Sequence, residues 1–172
     1  MSKIKIFLIL SGYQLTWLMC VFGELLYNSF FPGLICGLIF VSICFFNSND
    51  KKKFTITVFL ISILGYLFDT LLVFFQIYSF ETSLNIGVLP IWMILLWPSF
   101  AILFDEILIF LHKFKLLAVI LSSILGPLTY FAGSPLGLIN INNLFLFFLF
   151  MFIFWAALMI FYLSYLVKLK SN

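Results

Sequence analysis

The sequence predicts an all-α membrane protein, a polytopic bundle of six transmembrane helices that forms a single integral membrane domain over residues 1–172. Two observations predict this class. The chain is 65% hydrophobic and only 9% charged, whereas about a quarter of the residues of a soluble domain are charged. Its mean hydropathy is +1.28, and its apolar residues gather into segments near the length of about 20 residues that crosses a bilayer. These segments lie at about 5–23, 30–46, 54–76, 89–111, 116–133 and 144–167.

The first segment resembles a secretory signal peptide. In residues 1–20, two lysines precede an apolar stretch, but no small-residue cleavage motif follows. We therefore expect this segment to remain as the first membrane helix. The second helix ends at NSNDKKK (47–53), the clearest polar connection in the chain, and the third begins at Phe54.

Loop and turn residues separate the remaining segments. YSFETSLNIG (78–87) is the longest expected loop and precedes the fourth helix, while HKFK (112–115) is a tight turn before the fifth. SPLGLININN (134–143) contains Pro, Gly and three Asn, which favour turns over helix. We expect this stretch to lie at the surface, with the sixth helix after it.

The basic residues predict the orientation of the helices. All of them are lysines, and they form four clusters, at residues 3 and 5, 51–53, 113 and 115, and 168 and 170. With six helices, all four clusters lie on one side of the membrane, and the other side holds Glu24 and Glu81. Lys and Arg are enriched in cytoplasmic loops. We therefore expect a multi-pass membrane protein with both termini on the cytoplasmic side.

Asp69 is the residue that the composition explains least, because it lies inside the apolar third segment. An ionised Asp at the centre of a membrane helix costs about 2.5–3.5 kcal/mol on insertion scales, so we expect it to face the bundle. Ser62, Gly65, Asp69 and Gln76 recur at helical spacing, which predicts a small and polar stripe on one face. Counted from the lysines before Phe54, Asp69 lies in the outer half of the membrane.

Other helices carry polar or small residues on one face. Those that fall from mid-membrane to the outer surface, as Asp69 does, are Gln14, Trp17, Glu24, Trp92, Tyr130 and the Gly126-Pro127 break. Tyr13, Trp17, Cys20 and Glu24 share a face of the first helix, and Ala118, Ser122 and Gly126 form a small-residue series on the fifth, a pattern that allows close helix packing. We predict a polar pocket that opens to the outer side, with Asp69 as its catalytic residue. Its expected lining is Gln14, Trp17, Glu24, Gly65, Trp92, Trp97, Gly126 and Tyr130.

Two interpretations of these residues stay open. In the first, Asp69 is the functional residue of the predicted pocket. In the second, it is structural and hydrogen-bonds Gln14 or Tyr130 to lock the bundle, while Trp92 anchors the chain at the membrane interface.

Other kinds of site have no support in the sequence. The chain has one His and no zinc-binding spacing, so we predict no metal and no cofactor. No G-x-S-x-G motif indicates a nucleophile, and no basic stripe indicates nucleic-acid binding. The three cysteines lie in apolar runs and are expected to be buried thiols.

Four stretches resemble a bacterial family of small inner-membrane proteins, domain of unknown function 2878. They are GYQLTWLMCVFGE (12–24), GYLFDTLLV (65–73), PIWMILLWPSFA (90–101) and GPLTYFAGSPLG (126–137). The resemblance places on the family's motif positions Gln14, Trp17, Cys20, Gly65, Asp69, Pro90, Trp92, Trp97, Gly126, Pro127, Tyr130 and Gly133. Family members are often encoded near lipid methyltransferases similar to cyclopropane synthases, so the resemblance implies a role in envelope lipid modification.

Three functions are compatible with these observations. The first is an enzyme or accessory subunit that acts on membrane lipid, with Asp69 as acid, base or hydrogen-bond anchor. The second is a small carrier that binds a proton or substrate at Asp69, although the sequence lacks the inverted repeats typical of carriers. The third is a structural membrane partner without a ligand. Membrane lipid is the expected partner, and partner proteins are left unspecified.

Overall fold

The computed structural model describes residues 3–166, apart from the side chains of residues 3, 105, 106, 109, 110, 112, 165 and 166. Lys168, Lys170 and the predicted end of the sixth helix at 167 lie outside the described residues. Six α-helices account for most of the described chain. They are α1 (Lys3–Tyr27), α2 (Phe31–Phe46), α3 (Lys51–Phe74), α4 (Met93–Glu106), α5 (Lys115–Phe131) and α6 (Leu144–Phe161). A 3₁₀ helix covers Leu108–Phe114, and a π-helical turn covers Tyr162–Leu166.

Local sequence explains where several helices begin. Pro32 lies in the first turn of α2, where its missing N–H costs no helical hydrogen bond. The Asp50 carboxylate accepts a hydrogen bond from the Lys53 backbone N–H, 3.0 Å away, at the start of α3. The side chain of Asn143 accepts one from the Leu146 backbone N–H, also at 3.0 Å, at the start of α6. Such side-chain caps satisfy backbone donors that the first helical turn leaves unpaired.

Three of the helices are long and apolar enough to cross a membrane, and these lie at Ile4–Tyr27, Lys51–Phe74 and Leu144–Ser164. Between 28% and 33% of their most apolar windows is buried, so most of their aliphatic and aromatic side chains need an apolar solvent. The other apolar helices, Phe31–Phe46, Met93–Phe104 and Lys115–Phe131, are shorter. The six predicted helices are therefore present, and three of them reach membrane-spanning length.

The fourth helix is shorter than the sequence predicted. The prediction was 89–111, and α4 covers Met93–Glu106. Leu89 and Pro90 instead form strand β3, which pairs antiparallel with β2 (Asn85–Ile86). Gly87 in the connection has a φ of +64°, which Gly adopts without steric cost. The apolar run misled the prediction because a short buried strand and a helix have the same hydropathy.

The contact pattern divides the chain into two compact units. Unit one contains Met1–Tyr66 and Thr82–Ile109. In it, α1 packs against α2, and both pack against α4. Its buried core gathers aliphatic and aromatic side chains from all four of its helices, including Ile9, Phe40, Phe54, Ile102 and Leu103.

Unit two contains Leu67–Glu81 and Phe110–Asn172, and α5 packs against α6 in it. Phe68, near the C-terminal end of α3, stacks on Phe154 of α6 with ring centroids 3.8 Å apart. Strand β1 (Tyr78–Phe80) pairs antiparallel with β4 (Ile139–Ile141). The two stretches predicted as loops thus join in a small sheet.

Candidate site: a buried carboxylate bound by two tyrosines

Asp69 lies on the buried face of α3, as its helical spacing predicted. Its side chain is fully buried, and Ser62 and Gly65 on the same face are buried too. On the other side of the helix, Leu67 is 57% exposed and Leu71 is 52% exposed. Gln76, the last residue of the predicted stripe, follows the end of α3 and is exposed. The acid therefore points away from the apolar surface of the helix.

Two tyrosine hydroxyls donate hydrogen bonds to this carboxylate. The Tyr78 hydroxyl lies 2.7 Å from Oδ1 of Asp69. The Tyr130 hydroxyl lies 3.0 Å from Oδ1 and 2.9 Å from Oδ2. Buried polar groups are costly unless they are hydrogen-bonded, and both carboxylate oxygens have a phenolic donor here. We refer to Asp69, Tyr78 and Tyr130 as the Asp69 cluster. It joins α3, β1 and α5 within unit two.

Aromatic rings surround the phenol of Tyr78. Its ring centroid lies 5.3 Å from that of Phe80, 5.8 Å from Phe147 and 6.1 Å from Tyr130, in edge-to-face arrangements that aromatic pairs favour. Burial raises the pKa of Tyr78 well above its ordinary value of 10.0, and the nearby Asp69 raises it further. Tyr78 therefore stays protonated at neutral pH and acts as a hydrogen-bond donor.

Backbone hydrogen bonds hold Tyr78 in place. The carbonyl of Ile77 accepts from the backbone N–H groups of Asn142 and Asn143, at 3.0 and 3.3 Å. The Asn142 side-chain amide donates to the carbonyl of Gln76 at 2.9 Å. Gln76 has a φ of 56°, which reverses the chain after α3. The connection between β4 and α6 therefore holds Gln76 and Ile77, the two residues before Tyr78, in place.

The predicted site residues divide between the two units. Tyr130 and Gly126 belong to unit two with Asp69, and Tyr130 is hydrogen-bonded to it as one interpretation proposed. The others belong to unit one, where Gln14 is exposed, Trp17 is half-buried, and Glu24, Gly65, Trp92 and Trp97 are buried. The prediction missed Tyr78. The alternation of aromatic and polar residues in YSF (78–80) is the strand signal that could have indicated it.

Glu24 forms a second buried polar contact, in unit one. Its side chain is 7% exposed. Oε2 accepts from the Ser83 backbone N–H at 2.9 Å, and Oε1 accepts from the Ser83 hydroxyl at 3.1 Å. These bonds tie the segment before the β2–β3 hairpin to the end of α1.

Replacing Glu24 by Gln should lower the free energy of unfolding by about 1 kcal/mol, the net value of one hydrogen bond. The Gln carbonyl keeps the Ser83 N–H and the Ser83 hydroxyl can turn to accept from the amide, but both bonds lose the charge that strengthens a hydrogen bond to a carboxylate. Thermal unfolding of the purified protein in one detergent measures the loss. Glu81→Gln is the matched control, because Glu81 is exposed and should leave stability unchanged. Equal stability of the two variants would contradict this role of Glu24.

Two predicted glycines are packed against tryptophan rings. A Cβ added at Gly65 would overlap the indole of Trp97 in unit one, and a Cβ added at Gly126 would overlap the indole of Trp155 in unit two. Both glycines thus allow a helix backbone to approach an indole ring closely, which is the role that small residues play in membrane bundles. They act as packing surfaces for tryptophan.

The chemistry available at the Asp69 cluster is hydrogen bonding and proton exchange between a carboxyl group and phenols. Among the described residues, no group of three or more His, Cys, Asp or Glu side chains is placed to hold a metal ion. The three cysteines, all within the described residues, are thiols rather than disulfides, and Cys20 and Cys44 are buried. The Asp69 cluster therefore offers hydrogen-bond donors and acceptors to a ligand.

The fold and this site define a mainly helical protein with several segments able to cross a membrane and a buried carboxylate bound by two phenols. A family model described as "Protein of unknown function (DUF2878)" matches residues 6–161, and the chain belongs to this family. The match confirms the resemblance drawn from the four motifs. No curated protein and no solved structure matches the chain.

Proposed function

We propose that this chain is a multi-pass protein of the bacterial inner membrane that acts on membrane lipid, as an enzyme or as an accessory subunit of one. The Asp69 cluster is its polar centre. The observation that supports this most is the placement of an acid inside a segment long and apolar enough to span a membrane, with two phenols bound to it. Acids within membrane spans are costly to insert and commonly mark functional sites.

The proposed roles follow from the hydrogen bonds. Tyr78 is buried and stays protonated, so it positions the carboxylate as a fixed donor. Tyr130 is only half-buried and shares its hydroxyl between both carboxylate oxygens. Tyr130 is therefore the member of the cluster that can turn its hydroxyl toward a lipid headgroup or linkage, with Asp69 as the partner that accepts or returns its proton.

A structural role is the second candidate, and complete burial of the carboxylate favours it. Asp69 is fully buried and its two phenolic donors come from separate elements of unit two. In this alternative, the cluster fastens β1 and α5 to the end of α3, and the protein serves as a membrane partner without a ligand.

The lipid profile of a deletion strain separates these candidates. We expect deletion to change the membrane lipid composition and the wild-type gene to restore it. Asp69→Asn should fail to restore it, because the amide cannot exchange the proton, even when immunoblotting shows wild-type protein levels. The matched control is Thr70→Ala, at the exposed neighbouring position, which should restore the profile fully.

Two results would argue against the proposal. An unchanged lipid profile in the deletion strain would remove a role in lipid chemistry. Full restoration by Asp69→Asn would remove proton exchange and leave the carboxylate as a hydrogen-bond anchor. A profile restored by Asp69→Asn but lost with Asp69→Ala would favour the structural candidate.

A further inference from the structure

A short apolar hairpin lies beside the start of α4 in unit one. Residues 83–92 contain no charged side chain. Three of the aliphatic side chains in this stretch are about half exposed, Leu84 at 46%, Ile86 at 55% and Val88 at 38%. The hairpin is held at its base, where the Ile91 N–H donates to the Leu84 carbonyl at 3.1 Å and Glu24 binds Ser83. An ordered segment therefore presents aliphatic side chains outward.

A groove runs between this hairpin, the first turn of α4 and Tyr66 of α3. Its volume is about 180 Å³, and it is lined by Tyr66, Ile86, Leu89, Pro90, Met93 and Ile94. The lining contains no charged residue. Apolar cavities of about 150 Å³ hold a benzene-sized apolar molecule, so the groove has room for a short stretch of hydrocarbon.

A proline explains why the Tyr66 hydroxyl binds the backbone of α4. Pro98 lies inside α4 and has no N–H, so the carbonyl of Ile94, four residues earlier, lacks its helical donor. The Tyr66 hydroxyl donates to that carbonyl at 2.7 Å. This bond uses the polar end of Tyr66 and fixes its ring as a wall, which makes the lining suited to an apolar ligand.

The position of Tyr66 along α3 gives the depth of the groove. Tyr66 follows Lys53 by thirteen residues, which is about 20 Å along a helix axis. The hydrocarbon core of a bilayer is about 30 Å thick. If α3 spans the membrane from its lysines, as the proposed function requires, the groove lies in the leaflet opposite the lysines. Ile86 and Ile94 at its rim are exposed and would contact the acyl chains of that leaflet.

We propose that this groove binds the acyl chain of a membrane lipid from the leaflet opposite the lysine-bearing end of α3. The proposal deepens the proposed function, on whose membrane placement it rests, by naming the part of the lipid that the protein holds. The acyl chain lies between the hairpin and α4, and the fixed ring of Tyr66 limits how deeply the acyl chain enters the groove.

Photolabelling tests the site on the full chain in nanodiscs. The discs contain phosphatidylcholine with a diazirine on one acyl chain, and mass spectrometry locates the adducts after illumination. We expect severalfold more labelling of Leu89, Met93 and Ile94 than of Leu116 and Leu121, which are exposed on α5. Excess unlabelled phosphatidylcholine should reduce the groove adducts in a saturable manner and the α5 adducts only in proportion to dilution.

Two groove-filling variants sharpen the test. Ile86→Trp and Ile94→Trp place a large ring in the groove at positions that are 55% and 45% exposed, so the fold should tolerate them. Each should reduce labelling of Met93 severalfold. Ile120→Trp, at a position of α5 that is 45% exposed, is the matched control and should leave it unchanged. Equal melting temperatures verify that all three variants fold.

Several outcomes would overturn the site. Labelling of the groove no greater than that of α5, or labelling insensitive to both groove variants, would mean that the lipid there is not specifically held. A labelled groove together with an unchanged lipid profile in the deletion strain would overturn the proposed lipid chemistry and leave this binding site standing. A changed lipid profile together with an unlabelled groove would overturn this binding site and leave the proposed lipid chemistry standing.

Discussion

Replacing Asp69 by Ala should lower the free energy of unfolding by about 1–4 kcal/mol. The change leaves the hydroxyls of Tyr78 and Tyr130 without their shared acceptor. A buried polar group left unpaired costs about 1–3 kcal/mol, which applies to the fully buried Tyr78, and the half-buried Tyr130 adds less. Asp69→Asn should cost less, because its carbonyl keeps the Tyr78 donor while Tyr130 can rotate its hydroxyl to accept from the amide. Equilibrium unfolding in mixed micelles of fixed composition measures both.

A double-mutant cycle identifies the source of this loss. Tyr130→Phe removes a donor with little change of shape, and the Asp69→Ala, Tyr130→Phe pair should be less destabilised than the sum of the single variants, since the orphaned hydroxyl of Tyr130 is gone. Thr70→Ala, one residue away on the exposed face of α3, should be nearly neutral. Additive losses would mean that Asp69 and Tyr130 do not depend on each other.

Enlarging Gly126 should be the most disruptive change in the packing between α5 and α6. The added Cβ of Gly126→Ala would occupy the position of the Trp155 indole, so either the ring or the helix has to shift. Overpacking of this kind costs about 1–3 kcal/mol, and Gly126→Leu should cost more. Thermal unfolding and the yield of folded protein in detergent measure the loss.

A compensating substitution distinguishes overpacking from an effect of glycine on the helix itself. Trp155→Phe shortens the ring that occupies the space beside Gly126, so the Gly126→Ala, Trp155→Phe variant should recover part of the stability that Gly126→Ala loses. Leu125→Ala, at the neighbouring position that is 55% exposed, is the control for a substitution of α5 away from the indole, because Leu and Ala have similar helix propensities. A Gly126→Ala protein as stable as the wild type would show that the ring moves at no cost.

The helical part of this protein could be predicted from its sequence because hydrophobicity dictates it. Apolar segments between polar connections predicted six helices, and the structure contains six within the described residues. The burial of Ser62, Gly65 and Asp69 on one face followed from helical spacing alone. Depth gave two possible partners of Asp69, Gln14 and Tyr130, because a buried acid needs a donor at its own level, and the structure shows Tyr130.

The rest depended on contacts distant in sequence. Tyr78 reaches Asp69 because β1 pairs with β4, and the register of Tyr78 with Ile141 cannot be derived from either strand alone. Gln14 was expected to line the site because of its depth, yet it faces outward, since depth along a helix does not determine which face is buried. The contact of Glu24 with Ser83 is missed for a similar reason, because it depends on where the hairpin folds back.

The members of the Asp69 cluster lie far apart in the sequence, so they are translated at different times. Tyr78 follows Asp69 by 9 residues, but Tyr130 follows it by 61. At the ribosome's pace of about 5–20 residues per second, Tyr130 is added about 3–12 s after Asp69. The newly made acid can therefore meet only its nearer phenol at first, and its second partner arrives only when most of α5 has been translated.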